Sequence, residues 1–117
     1  MEVLNKRISN FFKVLSDPTR LNILEFLKDN PSTSIQIQTS LNISQSYASH
    51  QLKKLFDADL IDYEKKGKKK CYKPKNNAIY KLLALIQSYI FKLEKEKYEK
   101  FNLINEFKTI KDFSDVF

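Results

Sequence analysis

Apolar side chains at Val3, Leu4, Ile8, Phe11, Phe12 and Leu15 return every three or four positions, the spacing that lines one face of a helix, so residues 3–15 are predicted to form an amphipathic helix. Ser16-Asp17-Pro18 ends it and begins another. Asp17 can accept from the free N–H groups of the new first turn, and Pro18 at the first helical position gives up no hydrogen bond. Leu21, Leu24 and Leu27, with Ile23 or Phe26 beside them, supply the buried stripe of this second helix, and Asn30-Pro31 stops it because proline disfavours helical geometry at the preceding residue. Beyond Pro31, Ser32 or Ser34 can cap a short third helix through Leu41, with Ile35 and Ile37 as its apolar contacts.

Asn42-Ile43-Ser44 then forms a three-residue connection with Ile43 directed into the core. Ser44 can accept from a free backbone N–H two or three residues on, which makes it the N-cap of a fourth helix whose buried stripe is Ala48, Leu52 and Leu55. The opposite face carries Gln45, Ser46, Ser49, His50 and Lys53. Short hydroxyl and amide groups followed by a cation suit base edges in a DNA groove; the plainer reading is a surface helix with a polar exterior. Asp57-Ala58-Asp59 closes the helix and Leu60-Ile61 returns the chain to the core. A short helix, a tight turn and a capped helix with a polar outer face make a helix-turn-helix, here at about 33–56.

The segment at about 61–73 changes period. Gly67 is the only glycine, and glycine reaches positive φ without strain, so its single use marks a tight turn. Ile61, Tyr63, Cys71 and Tyr72 flank it, which predicts a two-stranded hairpin with lysines around its tip. Pro74, with no N–H for a ladder, ends the second strand. From Asn76 or Asn77 to about Lys100 there is neither proline nor glycine, and Ile79, Leu82, Leu83, Ile86, Tyr89, Ile90 and Leu93 make a continuous apolar stripe. Twenty-five helical residues would extend on the order of 37 Å, more than so short a chain can cover. Leu85 and Phe91 leave a second apolar face, and the usual cover for such a face is another copy of the chain. Phe101, Ile104, Phe107, Ile110, Phe113 and Phe117 mark a C-terminal extension (101–117), expected to stay helical to about residue 110 and to fray beyond it.

The chain has 117 residues, 42% of them hydrophobic and 30% charged, which suits a single globular domain. No apolar run approaches the roughly 18 residues that span a bilayer, and Glu2 and Asn5 interrupt any signal-peptide core, so a cytoplasmic location is expected. The net charge of +7 is concentrated: residues 1–60 carry +1, residues 61–75 carry +5 and residues 76–117 carry +1. Such a cluster is the footprint of a polyanion, either phosphate backbone or anionic lipid. A lipid surface is the weaker alternative, because the cluster lies on a turn and lacks the apolar face of an interfacial helix.

Three stretches carry a family resemblance: Phe12-Lys13-Val14-Leu15-Ser16-Asp17-Pro18-Thr19-Arg20-Leu21-Asn22-Ile23-Leu24, the fourth helix from Ile43 to Leu55, and the Gly67 hairpin ending at Tyr72. Together, over roughly residues 10 to 93, they resemble the ArsR/SmtB family of winged-helix repressors. The resemblance implies a mainly α fold with a small β-hairpin, a winged helix-turn-helix of four helices, hairpin and fifth helix. It also implies a homodimer joined through the first helix (about 3–15) and the last (about 76–100). Leu4, Ile8 and Phe11 would lie in that interface together with Leu82, Ile86, Tyr89, Ile90 and Leu93. DNA contacts would come from Ser44, Gln45, Ser46, Tyr47, Ser49, His50, Lys53 and Lys54 on the fourth helix. Lys65, Lys66, Lys68 and Lys69 of the hairpin would touch flanking phosphate.

The metal chemistry of that family has no counterpart here. The arsenic-type site needs paired cysteines near the third or fourth helix, and Ser32 to Ser49 contains none. The four zinc-ligand positions of the last helix, aligned through Tyr72, fall on Asn76, Ala78, Tyr89 and Lys92. None is a usual ligand, and Cys71 and His50 alone cannot fill four-coordinate zinc, so no metal and no cofactor is expected.

The expected function is a sequence-specific, double-stranded DNA-binding transcriptional regulator, most simply a repressor; the alternative is a winged helix that binds nucleic acid or a partner without sequence preference. No enzyme is expected, because the only histidine sits in the fourth helix and no nucleophile has a base at an interpretable spacing. Arg20 is expected to hold local structure beside Asp17 or another acid, with phosphate contact as the alternative. Cys71, next to lysines, has the setting of a redox sensor, but a small packed strand residue is the heavier reading. With nineteen lysines and only Arg7 and Arg20 as arginines, neither in the fourth helix, the chain lacks the usual guanine reader. Gln45 suits adenine instead, and an A·T-rich inverted repeat is the expected operator.

Overall fold

The computed structural model describes residues 1–116 of the backbone and the side chains of residues 1–106. Its elements are α1 (Glu2–Leu15), α2 (Pro18–Leu27), β1 (Ser32–Thr33), α3 (Ser34–Leu41), α4 (Gln45–Asp57), β2 (Ile61–Lys66), β3 (Lys69–Pro74) and α5 (Ala78–Val116). They divide into two compact units, Met1–Ile79 and Tyr80–Phe117.

In the first unit each helix starts where the capping chemistry places it. The Thr19 backbone N–H donates to Asp17 Oδ1 (3.1 Å) with Pro18 at the first helical position of α2, and the Tyr47 N–H donates to Ser44 Oγ (3.2 Å) at the head of α4. α3 departs from expectation: its cap is neither Ser32 nor Ser34 but Thr33. Thr33 Oγ1 accepts from the Gln36 N–H while Gln36 Oε1 accepts from the Thr33 N–H, a reciprocal capping box. Ile37 of α3 is fully buried, whereas Ile35, expected beside it in the core, is 61% exposed. Helix periodicity separates the two: residues two apart point to different sides of a helix.

The turn from α3 to α4 is made by Asn42, which takes the left-handed conformation at φ 54°, a geometry that asparagine tolerates. The Ile43 N–H then donates back to the Gln38 carbonyl (3.0 Å), and Ile43 ends half-buried. The core gathers Ile23, Leu24 and Leu27 of α2, Ile37 of α3, Ala48, Leu52 and Leu55 of α4, and Leu60 and Ile61. Leu21 and Phe26 are only half-buried.

The sheet has three antiparallel strands in the order β1-β3-β2, one more than the expected hairpin. The extra strand is Ser32–Thr33, opposite Tyr72 and Cys71; two residues are too few to show an alternating pattern. β2 and β3 pair from Ile61 opposite Pro74 to Lys66 opposite Lys69, and Gly67 turns the chain at φ 67°.

In the second unit α5 is a single helix that continues through Val116, beyond the expected end near residue 100 and the fraying beyond residue 110. At about 1.5 Å per residue its 39 residues extend roughly 58 Å. Its start is capped by Asn76, whose Oδ1 accepts from the Ala78 N–H (2.9 Å). Phe107, Ile110, Phe113 and Phe117 lie outside the residues whose side chains are described.

Candidate nucleic-acid interface

α4 buries one arc, Ala48, Gln51, Leu52 and Leu55. At about 100° per residue the centre of the opposite arc falls on Ser46, His50 and Lys53, and all three are exposed. Gln45 and Ser49, also exposed, lie on one flank. Ser49, with Lys53 and Phe56, borders the groove that Tyr63, Lys70 and Tyr72 line from the hairpin. Tyr47 and Lys54 lie on the other flank. Tyr47 is 39% exposed and its hydroxyl donates to Thr19 Oγ1 (3.2 Å), while Lys54 lines an open cleft with Asn10, Phe11, Lys13 and Val14 of α1. Ser44 is engaged as the cap, so its outward capacity is what remains after the Tyr47 N–H is satisfied. Lys53 Nζ meets Asp57 Oδ2 at 3.0 Å, an exposed i,i+4 pair of the kind worth little in water.

The hairpin is held to α4 by aromatic contact. Phe56 and Tyr63 have ring centroids 5.5 Å apart, Tyr63 and Tyr72 are 5.8 Å apart, and Lys70 Nζ lies 4.5 Å from the centroid of Tyr63. At the tip the register sets Lys66 opposite Lys69 and Lys65 opposite Lys70. Like charges facing each other across strands destabilise a sheet, and all of these lysines, with Lys68, are exposed. Farther down, Lys73 Nζ reaches Glu64 Oε1 at 2.6 Å; that hydrogen bond, and the Coulomb attraction beside it, hold the Glu64 carboxyl below its ordinary range and raise the Lys73 ammonium. The hairpin therefore carries a surplus of cations at its tip, the arrangement that captures a polyanion.

Sequence reasoning missed Gln51. It is 3% exposed and bridges two ions: its Oε1 accepts from Arg20 Nη1 (2.8 Å) and its Nε2 donates to Asp17 Oδ2 (2.7 Å). Arg20, 8% exposed, lies 3.4 Å from Asp17 Oδ2 and donates to the carbonyls of Val14 and Lys13. The expected structural role of Arg20 is thus what its contacts describe. A polar residue on the buried arc of α4, one turn from Ala48 and Leu55, was the available signal for Gln51. Sequence reasoning also passed over Thr19, Phe56 and Lys70. Cys71 is half-buried on β3.

On α1, Leu4 and Ile8 are exposed and Phe11 is half-buried, its ring edge-on to Phe12. On α5, Leu82, Tyr89, Ile90 and Leu93 are exposed and Ile86 is half-buried. Among the described residues no three His, Cys, Asp or Glu side chains group to hold a metal ion, and no helix is long and apolar enough to cross a membrane.

A capped helix presented beside a lysine-tipped hairpin of a three-stranded sheet defines a winged helix-turn-helix protein. Residues 17–63 match the family described as bacterial regulatory protein, arsR family. The chain is similar to the transcriptional repressor SdpR of Bacillus subtilis, 42% identical over 60 residues that cover 51% of this chain and 67% of that protein. It is also similar to the arsenical resistance operon repressor of Staphylococcus xylosus, 37% identical over 67 residues, covering 57% of this chain and 64% of that one. Among solved structures, the homodimeric winged helix-turn-helix DNA-binding domain Mb0332 of Mycobacterium bovis aligns over 76% of this chain and 82% of its own, with a TM-score of 0.69 and 24% identity. The chain belongs to the ArsR family of bacterial regulatory proteins. The matches span about two thirds of the length of these curated relatives.

Proposed function

We propose that the protein is a cytoplasmic, sequence-specific repressor that binds double-stranded DNA as a homodimer and does not sense metal. The observation that carries this reading is the exposed Ser46-His50-Lys53 arc of α4 standing beside a hairpin whose tip opposes lysine to lysine. In this reading Gln45, Ser46, Ser49 and His50 meet base edges in the major groove. Ser44, Tyr47, Lys53 and Lys54 meet sugar and phosphate at either flank, and Lys65, Lys66, Lys68 and Lys69 grip phosphate beyond them. The exposed apolar residues Leu4 and Ile8 with half-buried Phe11 on α1, and Leu82, Ile86, Tyr89, Ile90 and Leu93 on α5, are covered by a second copy. The operator is an A·T-rich inverted repeat, because α4 offers an amide and hydroxyls but no arginine.

Selection of a random duplex pool on the purified protein, followed by titration of the selected and a scrambled duplex at two salt concentrations, tests the proposal. A repressor retains a preference of at least about a hundredfold. A binding curve set only by salt, the same for both duplexes, would instead describe a winged helix without sequence preference. Zinc, cadmium and arsenite are expected to leave operator binding unchanged, since Cys71 and His50 are the only thiol and imidazole donors in each chain.

A further inference from the structure

Gln51 is the one polar side chain in the buried arc of α4. A leucine or methionine would fill similar volume without the cost of burying an amide, so its presence calls for chemistry that an apolar group cannot supply. The two neighbours define that chemistry. Arg20 can only donate and the Asp17 carboxylate can only accept, so a side chain spanning them must accept at one end and donate at the other, as an amide does. The same requirement fixes which end of the amide is oxygen. Arg20 in turn donates to the carbonyls of Lys13 and Val14 in the last turn of α1, and Asp17 is the cap of α2. α4 is thus tied by directional bonds to the ends of two other helices, at Gln51 and, one turn earlier, through the Tyr47 hydroxyl on Thr19. Apolar contacts at Ala48, Leu52 and Leu55 hold α4 down but are non-directional and do not alone set its rotation.

We infer that Gln51 is a positioning residue for DNA reading: the Arg20–Gln51–Asp17 bridge sets the rotation and tilt of α4 on α1 and α2 and so aims the Ser46-His50-Lys53 arc. The inference rests on the DNA-reading function proposed above. It makes sequence preference, and not only stability, depend on a bridge that never touches DNA.

The test exchanges the amide and the carboxylate. In Gln51→Glu two carboxylates face each other, and in Asp17→Asn one amide donor meets another. In the double variant the amide now at position 17 still caps α2 and donates to the carboxylate now at position 51, which still accepts from Arg20. The readout is the ratio of affinities for the selected and the scrambled duplex. Gln51→Glu is expected to lower that ratio by about tenfold or more, and the double variant to recover it to within about threefold of wild type. A purely structural role would lower the melting temperature yet leave the ratio of the folded protein unchanged. An unchanged ratio in Gln51→Glu, or a double variant no better than Gln51→Glu, overturns the inference. Should Gln51→Glu not fold, Gln51→Met fills the space without the bridge and is expected to lose preference by about the same factor; a wild-type ratio there is equally fatal. A wild-type protein with no preferred duplex would defeat the proposed function instead. The bridge is then judged on DNA-free protein by residual dipolar couplings of the α4 amides, whose fitted orientation relative to α2 is expected to change in Gln51→Met, and an unchanged orientation overturns it.

Discussion

Along α4 from Gln45 to Asp57 the outward positions are hydroxyls, one amide, one imidazole, the Phe56 ring and two lysines, one of them paired with Asp57. Along the wing from residue 65 to residue 70 every position but Gly67 is lysine. The two regions stand next to each other, joined through Phe56, Tyr63 and Tyr72, yet their chemistry is divided. α4 is nearly neutral and anchored by directional hydrogen bonds to Thr19, Asp17 and Arg20. The wing tip is held by a backbone ladder and carries cross-strand like-charge pairs that an anion would relieve. Helix chemistry of the first kind discriminates between base pairs, whereas lysines of the second kind attract any duplex. Under the proposed function the arrangement separates preference from affinity, and altering one should change the other little.

The largest effect is expected from disrupting the proposed contact with a second copy, which would part both regions from their counterparts at once. Ile90→Glu on the exposed stripe of α5 should leave a monomer with one α4 and one wing, lowering operator affinity on the order of a hundredfold or more because the second half-site no longer binds intramolecularly. Sedimentation measures the state and a salt titration measures the grip, whose log–log slope should fall by about half. Wild type sedimenting as a monomer at micromolar concentration would remove the premise.

Next in size is the wing. Lys66, Lys68 and Lys69 changed together to alanine should weaken binding to selected and scrambled duplexes alike, flattening the salt slope by roughly 0.9 for each phosphate left without its lysine. An unaltered slope means that the tip does not touch DNA. Gln45→Ala is the complementary change on α4. It should cost on the order of 1 to 3 kcal/mol on the selected site, leave the slope intact and relax preference at one position per half-site. Loss on all sequences equally would put Gln45 with the phosphate-binding residues.

The smallest effect sharpens how the wing is braced. The Glu64 carboxyl is held below its ordinary value by the hydrogen bond and charge of Lys73, so in the folded state it loses its proton more readily than in the unfolded chain. Its contribution is therefore complete above the unfolded value near 4.5 and disappears as pH falls through the lowered folded value. Lys73, raised for the same reason, contributes below its unfolded value of 10.5 and loses that contribution as pH rises through its raised folded value. Thermal melts of wild type and Glu64→Gln should differ slightly and constantly from about pH 6 to 8 and converge toward about pH 3. A difference that persists undiminished in acid would assign the brace to packing.

Element types were legible because each rests on local chemistry: Asp17-Pro18 and Ser44 cap where a free N–H needs an acceptor, and lone Gly67 turns where φ is positive. The α4 stripe of Ala48, Leu52 and Leu55, and the outward Ser46, His50 and Lys53, follow from helical period alone. The cap of α3 was also written locally, though sequence reasoning passed over it: of Ser32, Thr33 and Ser34 only Thr33 has a glutamine three residues on, and Gln36 closes the capping box. The pairing of Ser32–Thr33 with β3 is what local chemistry did not report. That pairing spans about 40 residues of sequence, and no local pattern reports it.

What the sequence determined by itself, then, is what nearest neighbours along the chain decide: helix periods, caps, the turn at Gly67 and the +5 charge collected in residues 61–75. Tertiary structure alone decided which polar groups far apart in the chain satisfy one another. In the sequence Gln51 stands out only as a polar residue on an apolar stripe; that its partners are Asp17 and Arg20, 34 and 31 residues earlier, is set by folding. That Lys54 shares a cleft with Asn10, Phe11, Lys13 and Val14 of α1 is likewise set by the packing of α4 and not by its own sequence neighbours. Local propensity is a property of a few adjacent dihedrals, whereas the partner of a buried amide is chosen by the closure of the whole core, which leaves a desolvated donor and acceptor no alternative but each other.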